Sequence, residues 1–175
     1  MGHCVPPIHR PDYDDPKELY AFHGLAAYYA QCFEQSLILI LVILKAMDTS
    51  QMKEATYNDV FTAVGRETMG TLINDLKKVS KIGTRLEARM WELNTKRNYL
   101  MHSFFQKNSH KLLSEYGQRA VLDELRQMAQ VFQDGNKILT DIYEPLWAKC
   151  GISQDMVDQE IQKMRAAAEP IRNLV

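Results

Sequence analysis

The sequence predicts an all-α protein, and three observations lead to this fold class. Apolar residues recur every three or four positions over several long stretches, which is the period of a helix face. No stretch alternates apolar and polar residues over the length of a half-buried β-strand. The 175 residues, 46% of them hydrophobic and 25% charged, have the size and balance of one globular domain. We therefore expect one helical bundle of about five to six helices.

The first 16 residues are predicted to form an extended arm, followed by a single helical domain at residues 17–175. Four of the six prolines and a cluster of aspartates lie in this arm, a composition typical of chain outside helices and strands. The start shows no apolar core of the signal-peptide type. The longest apolar run, residues 37–44, is far shorter than the roughly 18 residues of a membrane span. We expect a cytoplasmic protein that does not enter a membrane.

The charge and the cysteines narrow the classes of function. The 21 basic and 22 acidic residues nearly cancel, whereas proteins that grip long duplex nucleic acid usually carry a basic surplus. Any nucleic-acid contact is therefore expected to be local. The three cysteines form no CxxC pair, so neither a zinc knuckle nor a disulfide framework is predicted. No metal-ligand set, phosphate-binding loop or dinucleotide fingerprint is visible, and we expect no metal and no cofactor.

The first helix is predicted from Lys17 to Met47. Within it, residues 37–44 are apolar on every side, and such a helix has to be covered all round. A second subunit could supply part of that cover. Two alternatives stay open: a central core helix of one chain, or a buried strand, since several of these residues are β-branched.

Two further helical stretches precede the most informative part of the chain. One starts near Asn58 and runs to residue 79, and Gly65 and Gly70 either break it or let another backbone approach closely. The next is predicted to be capped by Thr84, with Glu87 three residues later completing a capping box.

The C-terminal third predicts one long and one shorter helix. The long pattern starts at Gly117. Gly135 is expected to kink it, and Pro145 to bend or end it. The last helix, residues 153–173, is predicted to be capped by Ser153.

The candidate chemistry lies at the end of the third predicted helix, in Arg97-Asn98-Tyr99-Leu100-Met101-His102. Asn98 and His102 are four positions apart on one helix face, where the amide could bond an imidazole nitrogen and select its tautomer. Arg97 and His102 are five apart, about 140° around the helix, so one helix does not aim both at one point. A twofold dimer would bring two copies of the motif together.

This segment resembles the HEPN superfamily, whose signature is an Arg followed after four to six residues by His, commonly with Asn after the Arg. The adjoining Phe104-Phe105 pair, residues 69–73 and the long apolar first helix are also similar to standalone HEPN proteins. The resemblance covers roughly residues 20–145. It implies a HEPN-like bundle that packs side by side as a homodimer, with the motifs lining the groove between the protomers. Assemblies larger than a dimer stay open.

The resemblance implies an endoribonuclease that works without a metal and leaves 2′,3′-cyclic phosphate and 5′-hydroxyl ends. Histidine can accept or donate a proton near neutral pH, and a guanidinium stays charged and matches phosphate oxygens. Arg97 and His102 are the expected catalytic residues, with Asn98 and Glu34 in support. Candidate RNA contacts are Lys96, Tyr99 and Lys107. Expected partners are RNA, a second copy of the chain and, in a toxin or phage-defence role, an antitoxin protein.

Structural interpretations of the same residues stay open. Arg97 could be a surface salt-bridging residue, His102 a satisfied histidine near the core, and Tyr99 an inward core position. HepT-type toxins carry a tyrosine two residues after the motif histidine, where a paired nucleotidyltransferase attaches AMP. Here that position is Phe104, which has no hydroxyl. The alternative function is therefore a non-catalytic HEPN module that partners a nucleotidyltransferase or another regulator.

Overall fold

The computed structural model describes residues 8–48, 61–151 and 153–172, and within these ranges every regular element is helical. The all-α fold class is confirmed. A 3-10 turn, Lys111–Leu113, precedes the longest helix. Residues 61–64 are also helical. The α-helices are α1 (Lys17–Asp48), α2 (Met69–Val79), α3 (Thr84–His102), α4 (Phe104–Asn108), α5 (Glu115–Lys149) and α6 (Gln154–Arg172).

The two longest helices, α1 and α5, pack along each other and form the spine of the bundle. Their contacts advance in the same direction along both helices. Arg119, near the start of α5, pairs with Asp14 just before α1. Further along, the Asn136 amide donates to the Tyr29 carbonyl at 2.9 Å. The two helices therefore run parallel.

Helix α3 crosses this pair at a site where small size is required. A Cβ at Gly135 would lie 2.6 Å from Leu93 Cδ1 and 3.3 Å from the Phe33 ring. Helices from three parts of the chain thus meet at a residue without a side chain. Helix α5 continues through Gly135 and also through Pro145, ending only at Lys149, so Pro145 does not end it.

The apolar run at residues 37–44 is covered within one chain. It is helical, so the strand interpretation is wrong. Six of its eight side chains are at most 4% exposed, and the run therefore gives no argument for a second subunit. By length and composition Lys17–Lys45 could cross a bilayer, but the buried core helix of a soluble protein passes the same test.

The ends of α2 and α3 differ from the sequence-based expectations. Asn58 lies outside the described residues. The chain turns at Gly65, and α2 begins at Met69 with Thr68 as its cap, whose hydroxyl accepts from the Thr71 amide at 3.3 Å. Thr84 is the first residue of α3, not its cap. The cap position is Gly83, which has no side chain to bond the helix end. The predicted capping box at Thr84 is wrong.

The caps of α5 and α6 are built from serines. Helix α5 begins two residues before Gly117, and Ser114 caps it by accepting from the Gly117 amide at 3.2 Å. The Ser153 hydroxyl accepts from the Met156 amide at 3.2 Å, and the predicted cap of the last helix is confirmed.

Residues 8–16 have no regular secondary structure and lie against the bundle. Pro11 is buried, and the Tyr13 hydroxyl donates to Asp123 Oδ1 of α5 at 2.5 Å. This part of the arm therefore follows the start of the α1–α5 spine.

Candidate active site

The last two turns of α3 present the motif on the outside of the bundle. Leu93 and Leu100 point inward and are at most 1% exposed. On the other side of the helix, Met101 is 42% exposed and His102, the last residue of α3, is also exposed. The inward leucines fix the rotation of α3 and thereby place the motif in solvent.

Arg97 is held between two helices. Its Nη2 lies 3.5 Å from Glu34 Oε2 on α1, and its Nη1 donates to the Asn98 side-chain oxygen at 3.2 Å. The Arg97 side chain is 28% exposed and that of Glu34 17%. The structure thus brings together three of the sequence-predicted residues. A guanidinium has five N–H groups, so donors remain for a phosphate.

His102 has an open environment. Within the part of the chain that the structure describes, it makes no hydrogen bond, ion pair or ring contact. The expected bond from Asn98 to its imidazole is not formed, since the Asn98 oxygen accepts from Arg97 instead. The interpretation of His102 as a satisfied histidine near the core is wrong, because the residue is exposed.

Tyr99 points away from this face. Its hydroxyl accepts from the buried Asn108 amide at 2.7 Å, and its ring packs edge-on against Phe104 with 5.6 Å between centroids. Burial raises the pKa of Tyr99 and the neighbouring Glu124 carboxylate raises it further, whereas the bond from Asn108 lowers it. Tyr99 is therefore half-buried and packs against the core.

The two candidate lysines are engaged elsewhere. Lys96 Nζ lies 3.8 Å from Glu92 one turn earlier, about 120° around α3 from His102. Lys107 Nζ lies over the Tyr99 ring, 5.5 Å from its centroid. Neither contact brings a lysine to Arg97.

Phe104 is a core residue. It is 1% exposed and packs against Tyr99 and Phe105. The side chain at this position thus lacks a hydroxyl and is also sealed from solvent.

Two residues of α1 that the sequence did not predict as part of the site lie beside the motif. His23 Nε2 lies 3.4 Å from the Leu100 carbonyl, and its ring lies 4.8 Å from that of Phe105. Tyr20, one turn earlier, is 69% exposed and 6.2 Å from the Phe105 ring. Their spacing of three marks one helix face, but only the packing of α1 on α3 shows what that face meets.

No family model matches the chain, and searches of curated proteins and of solved structures find no match either. Among the described residues, no three His, Cys, Asp or Glu side chains group as a metal site. The motif and its geometry are thus the basis for assigning a function.

Proposed function

We propose that the chain is a metal-independent endoribonuclease of the HEPN type that acts in the cytoplasm as a homodimer. One observation carries the proposal: His102 is exposed and unpartnered among the described residues, on the same helix end that presents Arg97. Packing gives no reason for an open imidazole at this place, whereas proton transfer to a bound substrate requires one.

The reaction uses the proton chemistry of histidine and the fixed charge of arginine. One imidazole takes the proton of a ribose 2′-hydroxyl as its oxygen attacks the adjacent phosphorus. The bond from phosphorus to the 5′-oxygen breaks, and a second imidazole donates a proton to that oxygen. Arg97 stabilises the extra negative charge on the phosphorane, a contribution typically worth about 10²–10³ in rate. The products are a 2′,3′-cyclic phosphate and a 5′-hydroxyl.

A second copy of the chain supplies the second imidazole. Arg97 and His102 project about 140° apart from one helix, so a single protomer leaves the site incomplete. Since the apolar run of α1 is covered within the chain, we place the dimer contact on the motif face of α3. Met101, 42% exposed between the two motif residues, gives this face an apolar centre.

Glu34 acts as a positioning residue for Arg97. The carboxylate on α1 restricts the long arginine side chain at 3.5 Å, so less side-chain freedom is lost when a phosphate binds. Arg97 forms a salt bridge with Glu34, as the purely structural alternative for this residue expected. In this proposal the same ion pair holds the guanidinium ready to bind a phosphate of the substrate.

The proposed setting is a toxin or phage-defence effector that attacks RNA and is restrained by an antitoxin protein. Because Phe104 is buried and lacks a hydroxyl, that restraint would not use AMP attached at this position. The second candidate function is a non-catalytic module. The observation that favours it is the same missing hydroxyl, because Phe104 departs from the pattern of the HepT-type toxins.

The test is incubation of the purified protein with RNA in the presence of EDTA, followed by analysis of the product ends. Arg97→Ala and His102→Ala are each expected to lower the cleavage rate at least about 100-fold. Arg126→Ala and His110→Ala, at exposed positions outside the motif, are the matched controls. Circular dichroism checks that all four variants keep the helical fold.

Unchanged cleavage by His102→Ala contradicts the nuclease proposal. A wild-type protein that binds RNA or a nucleotidyltransferase but cleaves nothing supports the non-catalytic module instead. Cleavage that EDTA abolishes contradicts the metal-independent mechanism.

A further inference from the structure

Three aromatic rings lie together where α1 starts and α3 ends. The rings of His23 and Phe105 lie 4.8 Å apart, and those of Phe105 and Tyr20 lie 6.2 Å apart. Tyr20 is 69% exposed and Phe105 is 38% exposed. We refer to Tyr20, His23 and Phe105 as the aromatic platform. Two of its rings, those of Tyr20 and Phe105, thus offer flat apolar surface to solvent.

A cavity of about 190 Å³ adjoins the platform at Tyr20. Leu19 and Leu122 give it apolar walls, and Asp15, Gln118 and Arg119 give it polar groups. The guanidinium of Arg119 lies 5.9 Å from the ring centroid of Tyr13, which also lines the cavity. The cavity thus combines apolar walls with side chains that can bond the edge of a flat, polar ligand.

The platform is close to the proposed catalytic residue. Phe105 follows His102 by three residues, a separation that spans at most about 11 Å of chain. His23 also contacts the backbone of the motif helix, since its Nε2 lies 3.4 Å from the Leu100 carbonyl. A ligand on the platform would therefore be a neighbour of a group bound at His102.

We propose that the aromatic platform and its cavity bind an unpaired base of single-stranded RNA next to the cleaved phosphate. The proposal rests on the proposed function and specifies its substrate class. Aromatic side chains stack on bases that are not stacked in a duplex, and this contact is largely independent of base identity. Stacking also explains how a chain with a net charge of −1 can hold RNA without the basic surface that phosphate binding requires.

Binding is measured with a short fluorescent single-stranded RNA and with the same strand in a duplex, using His102→Ala protein so that the probe is not cut. Removal of one stacking ring typically costs about 1–3 kcal/mol, so Tyr20→Ala is expected to weaken single-strand binding roughly 5- to 140-fold. Tyr20→Phe keeps the ring and is expected to retain affinity. Tyr116→Ala is the control, because Tyr116 is 86% exposed and outside the cavity lining.

Three results would overturn the platform: single-strand affinity that Tyr20→Ala leaves unchanged, equal affinity for the duplex, or a Tyr20→Ala protein that loses its dimer on a sizing column. The last result would assign Tyr20 to the contact with a second copy. Failure of the nuclease proposal is recognised separately. In that case wild-type protein leaves RNA intact in the cleavage assay, while RNA binding still depends on Tyr20.

Discussion

Gly117 allows the 3-10 turn to approach the first turn of α5, and its replacement tests the packing at the cavity wall. A Cβ at Gly117 would lie 2.0 Å from the Lys111 carbonyl oxygen and 2.7 Å from the carbonyl carbon. These are backbone atoms, so no side-chain rotation can relieve the contact. Gly117→Ala must push residues 111–113 outward, and Leu112 on this segment also lines the cavity.

The size of the effect follows from two opposing terms. Overpacking a buried site costs about 1–3 kcal/mol, and a backbone clash this close belongs at the upper end. Alanine recovers up to about 1 kcal/mol through its higher helix propensity. The net loss in the free energy of unfolding is therefore about 2 kcal/mol. For a domain of this size that lowers Tm by roughly 4–8 °C.

Gly24→Ala is the matched control, and thermal unfolding followed by circular dichroism is the assay. Gly24 is exposed in α1, and a Cβ there would have no neighbour within 4 Å. Only the propensity term remains, so this variant is expected to be more stable by about 0.5–1 kcal/mol. If Gly117→Ala melts at or above the wild-type temperature while Gly24→Ala behaves as expected, the close approach at Lys111 is refuted.

Two further predictions concern the motif and its surroundings. Glu34→Gln removes the charge beside Arg97 but keeps the shape of the side chain. A partly exposed ion pair contributes at most about 1 kcal/mol, so Tm should fall by less than about 4 °C. RNA cleavage should fall about tenfold, because Arg97 is then positioned less well. Cleavage at the wild-type rate would show that Glu34 does not position Arg97. Burial and the neighbouring Glu124 carboxylate raise the pKa of Tyr99. The stability that its protonated hydroxyl contributes is therefore present below about pH 10 and is lost as the pH rises through the raised pKa. Denaturant titrations from pH 8 to about pH 11 should show wild-type stability falling relative to Tyr99→Phe, and parallel curves would contradict this assignment.

The sequence by itself determined the helical fold class and the approximate position of the long helices. A period of three to four is a local property of the chain, and it is visible wherever a helix has one face in the core. The start of α1 after a proline-rich segment and the serine cap of α6 are local signals of the same kind. Where a local signal competes with packing, it can fail: a proline inside a helix costs about 3 kcal/mol, yet α5 passes through Pro145 and ends only at Lys149.

Only the tertiary structure decided which of these faces meet. Glu34 and Arg97 are 63 positions apart, and the sequence left open whether that carboxylate would serve Arg97 or His102. Likewise, the packing of the helices decides that Tyr20 of α1 meets Phe105 of α4 and that the Tyr99 hydroxyl accepts from the Asn108 amide. The physical reason is that a helical period fixes the direction of a side chain from its own axis, whereas its neighbours depend on the rotation and crossing of another helix.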